Sequence, residues 1–262
     1  MTTLRPFLLS CCMILACASG AIAQAPAPPA AAPSAPGAEA ASPGGWSYIV
    51  EPYLLVPSMS GTAGAGGLTS EVDVSAGDIF GALDMGAMLY LEARNPKWAF
   101  SLDATYMDLG ASGTTKVGNV GVELDLKQTG ITAAGYRRLT PWAEAMLGLT
   151  FNSVSESLKG SGPAAVNKST DQNWVDPYLG VRLAAPADKW RFGFFGAIGG
   201  FGVGSDFAWQ VFPEVGYRFN RLFELTGGYR ALGMDYSNDS ENGEFVYDLI
   251  TYGPQLGAKF HF

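Results

Sequence analysis

The sequence predicts an all-β fold: a transmembrane, antiparallel, up-and-down β-barrel of about ten strands, in a pattern that does not separate ten from eight or twelve. Three observations predict it. Apolar and polar residues alternate with period two over successive stretches of about ten residues, as barrel strands do. After the leader, no uninterrupted apolar run of about 18 residues indicates a spanning helix. The first 23 residues read as an export signal. A chain that crosses a bilayer without helices must close its strands, because every backbone group has to pair inside lipid.

The elements follow in order. Arg5 supplies a positive start, residues 7–18 an apolar core, and Ala21-Ile22-Ala23 a small-x-small cleavage pattern before Gln24. Cys11, Cys12 and Cys17 all lie in this segment, so the cleaved chain has no disulfide, thiolate metal site or cysteine nucleophile. Residues 24–45 are almost entirely Ala, Pro, Ser and Gly and read as a disordered tether. At Trp46 the texture changes, and the barrel is expected over 46–262.

Strands are expected at about 46–57, 84–95, 97–109, 120–138, 141–157, 173–185, 188–201, 206–220, 221–236 and 244–262. In 174–184, Val175, Pro177, Leu179, Val181 and Leu183 fall on one face, with Trp174, Asp176, Tyr178 and Arg182 on the other. In 207–219, Phe207, Trp209, Val211, Val215, Tyr217 and Phe219 oppose Gln210, Glu214 and Arg218. Tight turns at Asn95-Pro96-Lys97, Leu139-Thr140, Ala185-Pro186-Ala187 and Asn220-Arg221 alternate with longer connections, as periplasmic turns and outer loops do. An even strand number puts both termini on the periplasmic side. All six tryptophans sit near strand ends: Trp46, Trp98, Trp142 and Trp190 at one end, Trp174 and Trp209 at the other, as interfacial girdles require. The stretch 58–83 is the least strand-like. It is expected as a solvated loop, with an outer lid or a segment folded into the barrel mouth as alternatives; a flexible turn falls at 61–67, Val72 and Val74 can extend a hairpin above the membrane, and Ser75 with Asp78 can cap one helical turn through Gly81.

The cleaved chain carries 15 basic against 24 acidic residues, since Arg5 is the only charge removed from 16. A net charge of about −9 argues against nucleic acid as a partner. Alternation sends the acids Glu51, Glu92, Asp103, Glu123, Asp125, Glu144, Asp176, Glu214 and Glu224 inward. It sends the bases Arg94, Lys127, Arg137, Arg182, Arg191, Arg218, Arg230 and Lys259 inward with them. Isolated charge in a narrow interior is costly, so near-balance suggests pairing. Ten strands lie near the eight-strand size whose interior side chains fill, far from the 16 of open pores. The expected network comprises Glu92, Arg94, Asp103, Glu144, Asp176, Arg182, Arg191, Glu214, Arg218, Glu224 and Arg230.

The C-terminal stretch 252–262 places Leu256, Ala258, Phe260 and Phe262 on one face. It resembles the last strand of bacterial outer-membrane barrels, in which the terminal aromatic and the alternating apolar positions before it form the assembly signal. With Gly199-Gly200-Phe201-Gly202, Gly216-Tyr217-Arg218-Phe219 and Gly228-Tyr229-Arg230, the chain resembles small outer-membrane barrels of the OmpA and OmpW types. The resemblance implies a Gram-negative outer membrane, contact with its lipid, the barrel-assembly machinery during biogenesis, and a monomer. Leu256, Phe260 and Phe262 would be the assembly signal.

No chemistry is indicated. His261 is the sole histidine and falls one residue from the periplasmic end, whereas barrel hydrolases work at the outer rim. There is no zinc set and no EF-hand spacing, and the glycines at 199–204 are not followed by Lys-Ser/Thr as a phosphate loop would be. No cofactor, metal or catalytic residue is expected. The expectation is a structural or surface-interaction barrel, with a narrow solute channel and an outer-rim hydrolase as alternatives.

Overall fold

In a computed structural model, residues 45–65, 68–114, 121–160, 167–240 and 243–262 are described. The expected leader (1–23) and all but the last residue of the tether (24–45) lie outside them. The strands are β1 (Ser47–Leu55), β2 (Ser58–Ala65), β3 (Leu68–Val74), β4 (Leu83–Arg94), β5 (Trp98–Thr114) and β6 (Gly121–Thr140). They continue as β7 (Ala143–Gly160), β8 (Asn167–Ala187), β9 (Trp190–Gly200), β10 (Phe207–Arg218), β11 (Phe223–Ser240) and β12 (Gly243–His261). One helix, α1 (Ala76–Ala82), precedes β4.

The wall is a closed, ten-strand, antiparallel, up-and-down barrel. Closure comes from β12. Its terminal half pairs with β1 (Val50 opposite Phe260, Leu54 opposite Leu256), and its far half pairs with β2 (Met59 opposite Thr251, Gly64 opposite Val246). β1 and β2 therefore act as one wall strand, interrupted at Val56 and Pro57; Val56 N–H still donates to the Pro254 carbonyl at 2.9 Å. At the seam's end Phe262 and Tyr48 exchange two backbone hydrogen bonds of 2.9 Å. Leu256 and Phe262 face outward, exposed, beside the half-exposed Phe260.

The outward faces carry an apolar band. On β7, Leu147, Leu149 and Phe151 are exposed, and the same face then continues as Ser153, Ser155 and Ser157. On β8, Leu179, Pro177 and Val175 give way to Asn173 and Asp171. The apolar run thus spans about the height of a barrel's lipid-facing band. Trp46, Trp98, Trp142 and Trp190 are exposed at the end that carries both termini of the described barrel, the start of β1 and Phe262. Beyond the band, β5 to β8, β11 and β12 continue as a projection.

In that projection the pattern inverts. Val154, Tyr236, Phe245, Tyr247 and Leu249 are buried inside, while Lys127, Asp171, Asp235 and Asp248 are exposed outside. This is the arrangement of a soluble β-barrel, whose outer face meets water. Three inward assignments on β6 are corrected. Lys127 points outward, 3.3 Å from Asp108, and Asp125 shares its parity. Arg137 also points outward, its guanidinium 4.7 Å from the centre of the Trp98 ring, and the inward residue is its neighbour Arg138. The side chain of Glu123 lies outside the described residues.

The stretch 58–83 is structured wall and not a solvated loop. β2 and β3 form a hairpin, and Ser75 and Asp78 form the expected reciprocal capping box. Each accepts the other's backbone N–H at 3.3 Å. β9 and β10 are shorter than their neighbours. Their connection turns at Gly200 (φ +83°), Phe201 (φ +54°) and Gly202 (φ +72°), which places two glycines in the left-handed region they tolerate.

Candidate functional site: the filled lumen

The inward side chains form two layers. Nearer the termini the layer is charged. Arg182 on β8 donates to Glu144 on β7 at 2.8 Å through Nε and reaches Glu92 on β4 with its other edge. Arg94 donates to Glu144 at 2.8 Å and lies 3.3 Å from Glu92; Arg138 lies 3.4 Å from Glu144. The Arg182 guanidinium also stacks 4.0 Å from the centre of the Tyr136 ring. Tyr90 donates to Glu92 at 2.5 Å and accepts from Arg182 at 3.0 Å.

A second cluster faces the first. Arg191 on β9 donates to Glu224 and Glu214, each at 2.7 Å. Lys259 lies 3.3 Å from Glu51 and 3.5 Å from Glu214. Thr226 donates to Glu51 at 2.6 Å, and His261 lies 3.0 Å from Glu224. Higher up, Arg230 donates to Asp103 at 2.7 Å and to the Tyr53 hydroxyl at 3.0 Å, while Tyr53 donates to Asp103 at 2.6 Å. Most of these carboxylates thus have a cation or a hydroxyl on them, the condition under which buried charge is tolerated.

Asp176 is different. It is fully buried and, among the described residues, satisfied without a cation: it accepts from Asn152 Nδ2 and Trp174 Nε1 at 3.0 Å, and from Ser205 N at 2.6 Å and Ser205 Oγ at 2.9 Å. It holds the β9–β10 connection down against β8. Arg218 points inward but is not brought into the network: its Nε is buried without a hydrogen-bond partner, and among the described residues it makes no ion pair.

The far layer is apolar and aromatic, where alternation implied a polar lumen. Trp174 on β8 and Tyr236 on β11 stack with centroids 4.1 Å apart, and Tyr247 lies 5.9 Å from the same indole. Trp174 is therefore a lumen residue and not an interfacial girdle residue. β8 and β11 are separated in the wall by β9 and β10, whose tops stop below this height. The stack lies across the interior above the short hairpin. The tyrosines, Thr226 and this stack were missed in the sequence; the only available signal was that they share parity with the charged residues.

Among the described residues, no group of three or more His, Cys, Asp or Glu side chains is placed to hold a metal ion. His261 sits at the end carrying the termini.

No family model and no curated protein matches the chain. Among solved structures, the attachment invasion locus protein Ail of Yersinia pestis is matched at 11% identity and TM-score 0.37, over 83% of this chain and 98% of that one. The outer-membrane protease OmpT of Escherichia coli is matched at 10% identity and TM-score 0.49, over 84% and 98%. Neisserial surface protein A is matched at 11% identity and TM-score 0.35, over 83% and 99%. All three are bacterial outer-membrane proteins.

Proposed function

We propose that this chain is a closed, non-enzymatic barrel of the outer membrane, with its termini toward the periplasm and a rigid β-projection presented to the outside. The observation that carries the reading is the double filling of the lumen. Arg182 and Arg191 cross-link carboxylates from several strands in one layer, and the Trp174–Tyr236 stack occupies the other. A ten-strand interior leaves little room beside such side chains.

The surface role rests on the projection. About seven residues of β8 rise above the band, roughly 23 Å along the strand at 3.3 Å per residue. Its exposed face carries Asp171, Asn173, Asp235 and Asp248. A polar, hydrogen-bonded wall offers a fixed surface to a partner. The non-enzymatic reading is supported by the position of His261, bound to Glu224 at the opposite end from that surface.

Swelling of proteoliposomes tests the closed state. Vesicles carrying the full-length barrel are diluted into an isotonic pentose; no swelling above empty vesicles is expected. Swelling at a porin-like rate overturns the reading in favour of a solute channel.

A further inference from the structure

The wall has one seam that is not a β-ladder. β1 pairs with β4 only as far as Pro52 opposite Leu89. Above that point the wall strand passes into β2, which pairs with β3, and among the described residues no ladder joins β3 to β4. α1 stands in the gap. Ala76 N–H donates to Ser58 Oγ at 3.0 Å, Ile79 is buried between Met59 and Met107, and Phe80 is exposed on the outer side. Where the ladder fails, Leu55 N–H donates to the Met88 thioether at 3.2 Å in place of a carbonyl. In a lipid environment backbone groups are otherwise paired strand to strand.

A cleft opens at this seam, lined by Leu54, Leu55, Ile79, Phe80, Met88 and Met107. The lining is mostly apolar. Tyr53 also borders it, but its hydroxyl is engaged by Asp103 and Arg230. The outer mouth is continuous with the lipid-facing band: Leu54, Phe80, Met85 and Leu89 are all exposed there. Leu55 lies eight residues above Ser47, roughly 26 Å along a strand at about 3.3 Å per residue, which at the usual barrel tilt is the leaflet away from the termini. The cavity volume is about 30 Å³. On a scale where one water takes roughly 10–15 Å³, it receives the tip of one chain and no ring system.

We propose that this seam is a binding site for the end of a single saturated acyl chain of a membrane lipid in that leaflet. The chain enters between α1 and β1, with its terminal methyl against Met88 and Met107. The site is separate from the charged layer, and whether the barrel conducts does not decide it.

The test is photolabelling in detergent-free phosphatidylcholine vesicles. The full-length barrel is reconstituted with a trace of phospholipid carrying a diazirine at the methyl end of one acyl chain. After illumination, labelled residues are mapped by mass spectrometry. Label on the inward residues Ile79, Met88 or Met107 is expected, since lipid surrounding an intact wall cannot reach them. A second arm uses Gly86→Leu. Gly86 lines the cleft, and a Cβ there meets only ordinary contacts of 3.6 Å or more, so the added side chain fills the cleft. Inward label should be lost while outward label at Leu54 and Met85 persists. Met107→Phe serves if the first variant fails to fold, as judged by heat-modifiable gel migration. Label confined to outward residues, or inward label unchanged in a folded filled variant, overturns the proposal.

Discussion

Trp174 and Tyr236 lie on strands separated by a whole hairpin, yet their rings stack 4.1 Å apart and only 9° from parallel. The stack joins β8 to β11 over the tops of β9 and β10, and Asp176 holds both the indole N–H and Ser205 of the hairpin's connection. Trp174→Ala should destabilise the barrel by about 3–5 kcal/mol, the range for a truncated buried aromatic. A double-mutant cycle with Tyr236→Ala should show a coupling of about 0.5–1.5 kcal/mol beyond simple burial. Urea unfolding in vesicles, followed by tryptophan fluorescence at the remaining indoles, measures both.

Arg182 touches two buried carboxylates from different strands. Arg182→Ala leaves Glu92 without its closest cation and should cost about 3–5 kcal/mol, the range for breaking a buried pair from one side. Replacing Arg182 and Glu144 together by Met and Leu should cost less than Arg182→Ala alone. The same urea titration decides it, and a double variant worse than the single would show that the pair stabilises beyond mutual neutralisation.

Gly200 has φ +83°, and a Cβ there would meet the backbone carbonyl of Ser205. Gly200→Ala should therefore cost at least about 1–2 kcal/mol, the left-handed penalty for an L-residue. The loss should appear locally, as faster hydrogen exchange of the Ser205 amide.

The inversion of the pattern beyond the membrane band predicts opposite accessibility for Lys127 and Val154. After residue 23 the chain has no cysteine, so single cysteines report cleanly. In vesicles, Lys127→Cys should react rapidly with a membrane-impermeant maleimide, and Val154→Cys should be protected. Equal reactivity would contradict the register.

The strands were legible from period-two alternation, and turn chemistry placed the tight turns at Asn95-Pro96-Lys97 and Asn220-Arg221; those expected at Leu139-Thr140 and Ala185-Pro186-Ala187 fall later, because β6 runs on to Thr140 and β8 to Ala187. Reading failed where one signal is silent. In 58–83 small residues give alternation little to act on, so the hairpin through Val72 and Val74 and the helical turn after Ser75 were legible as local features, but their place in the wall was not. Arg137 and Lys127 were sent inward because charge was equated with lumen. That rule holds only beside hydrocarbon: Lys127 stands in water and Arg137 lies at the interface over Trp98. In the site, the charged partners were legible from parity, since Glu92, Glu144 and Arg182 had to share an interior. Their pairing was not, because it depends on how strands far apart in sequence face each other across the barrel. Arg218 shows the limit of parity: it faces inward but makes no ion pair among the described residues.

The central claim is that the lumen is filled in both layers. Planar-bilayer recording of the purified full-length barrel tests it most directly. A baseline without steady current steps at either polarity is predicted. A steady conductance on the nanosiemens scale, unchanged by Arg182→Ala or Trp174→Ala, would contradict it.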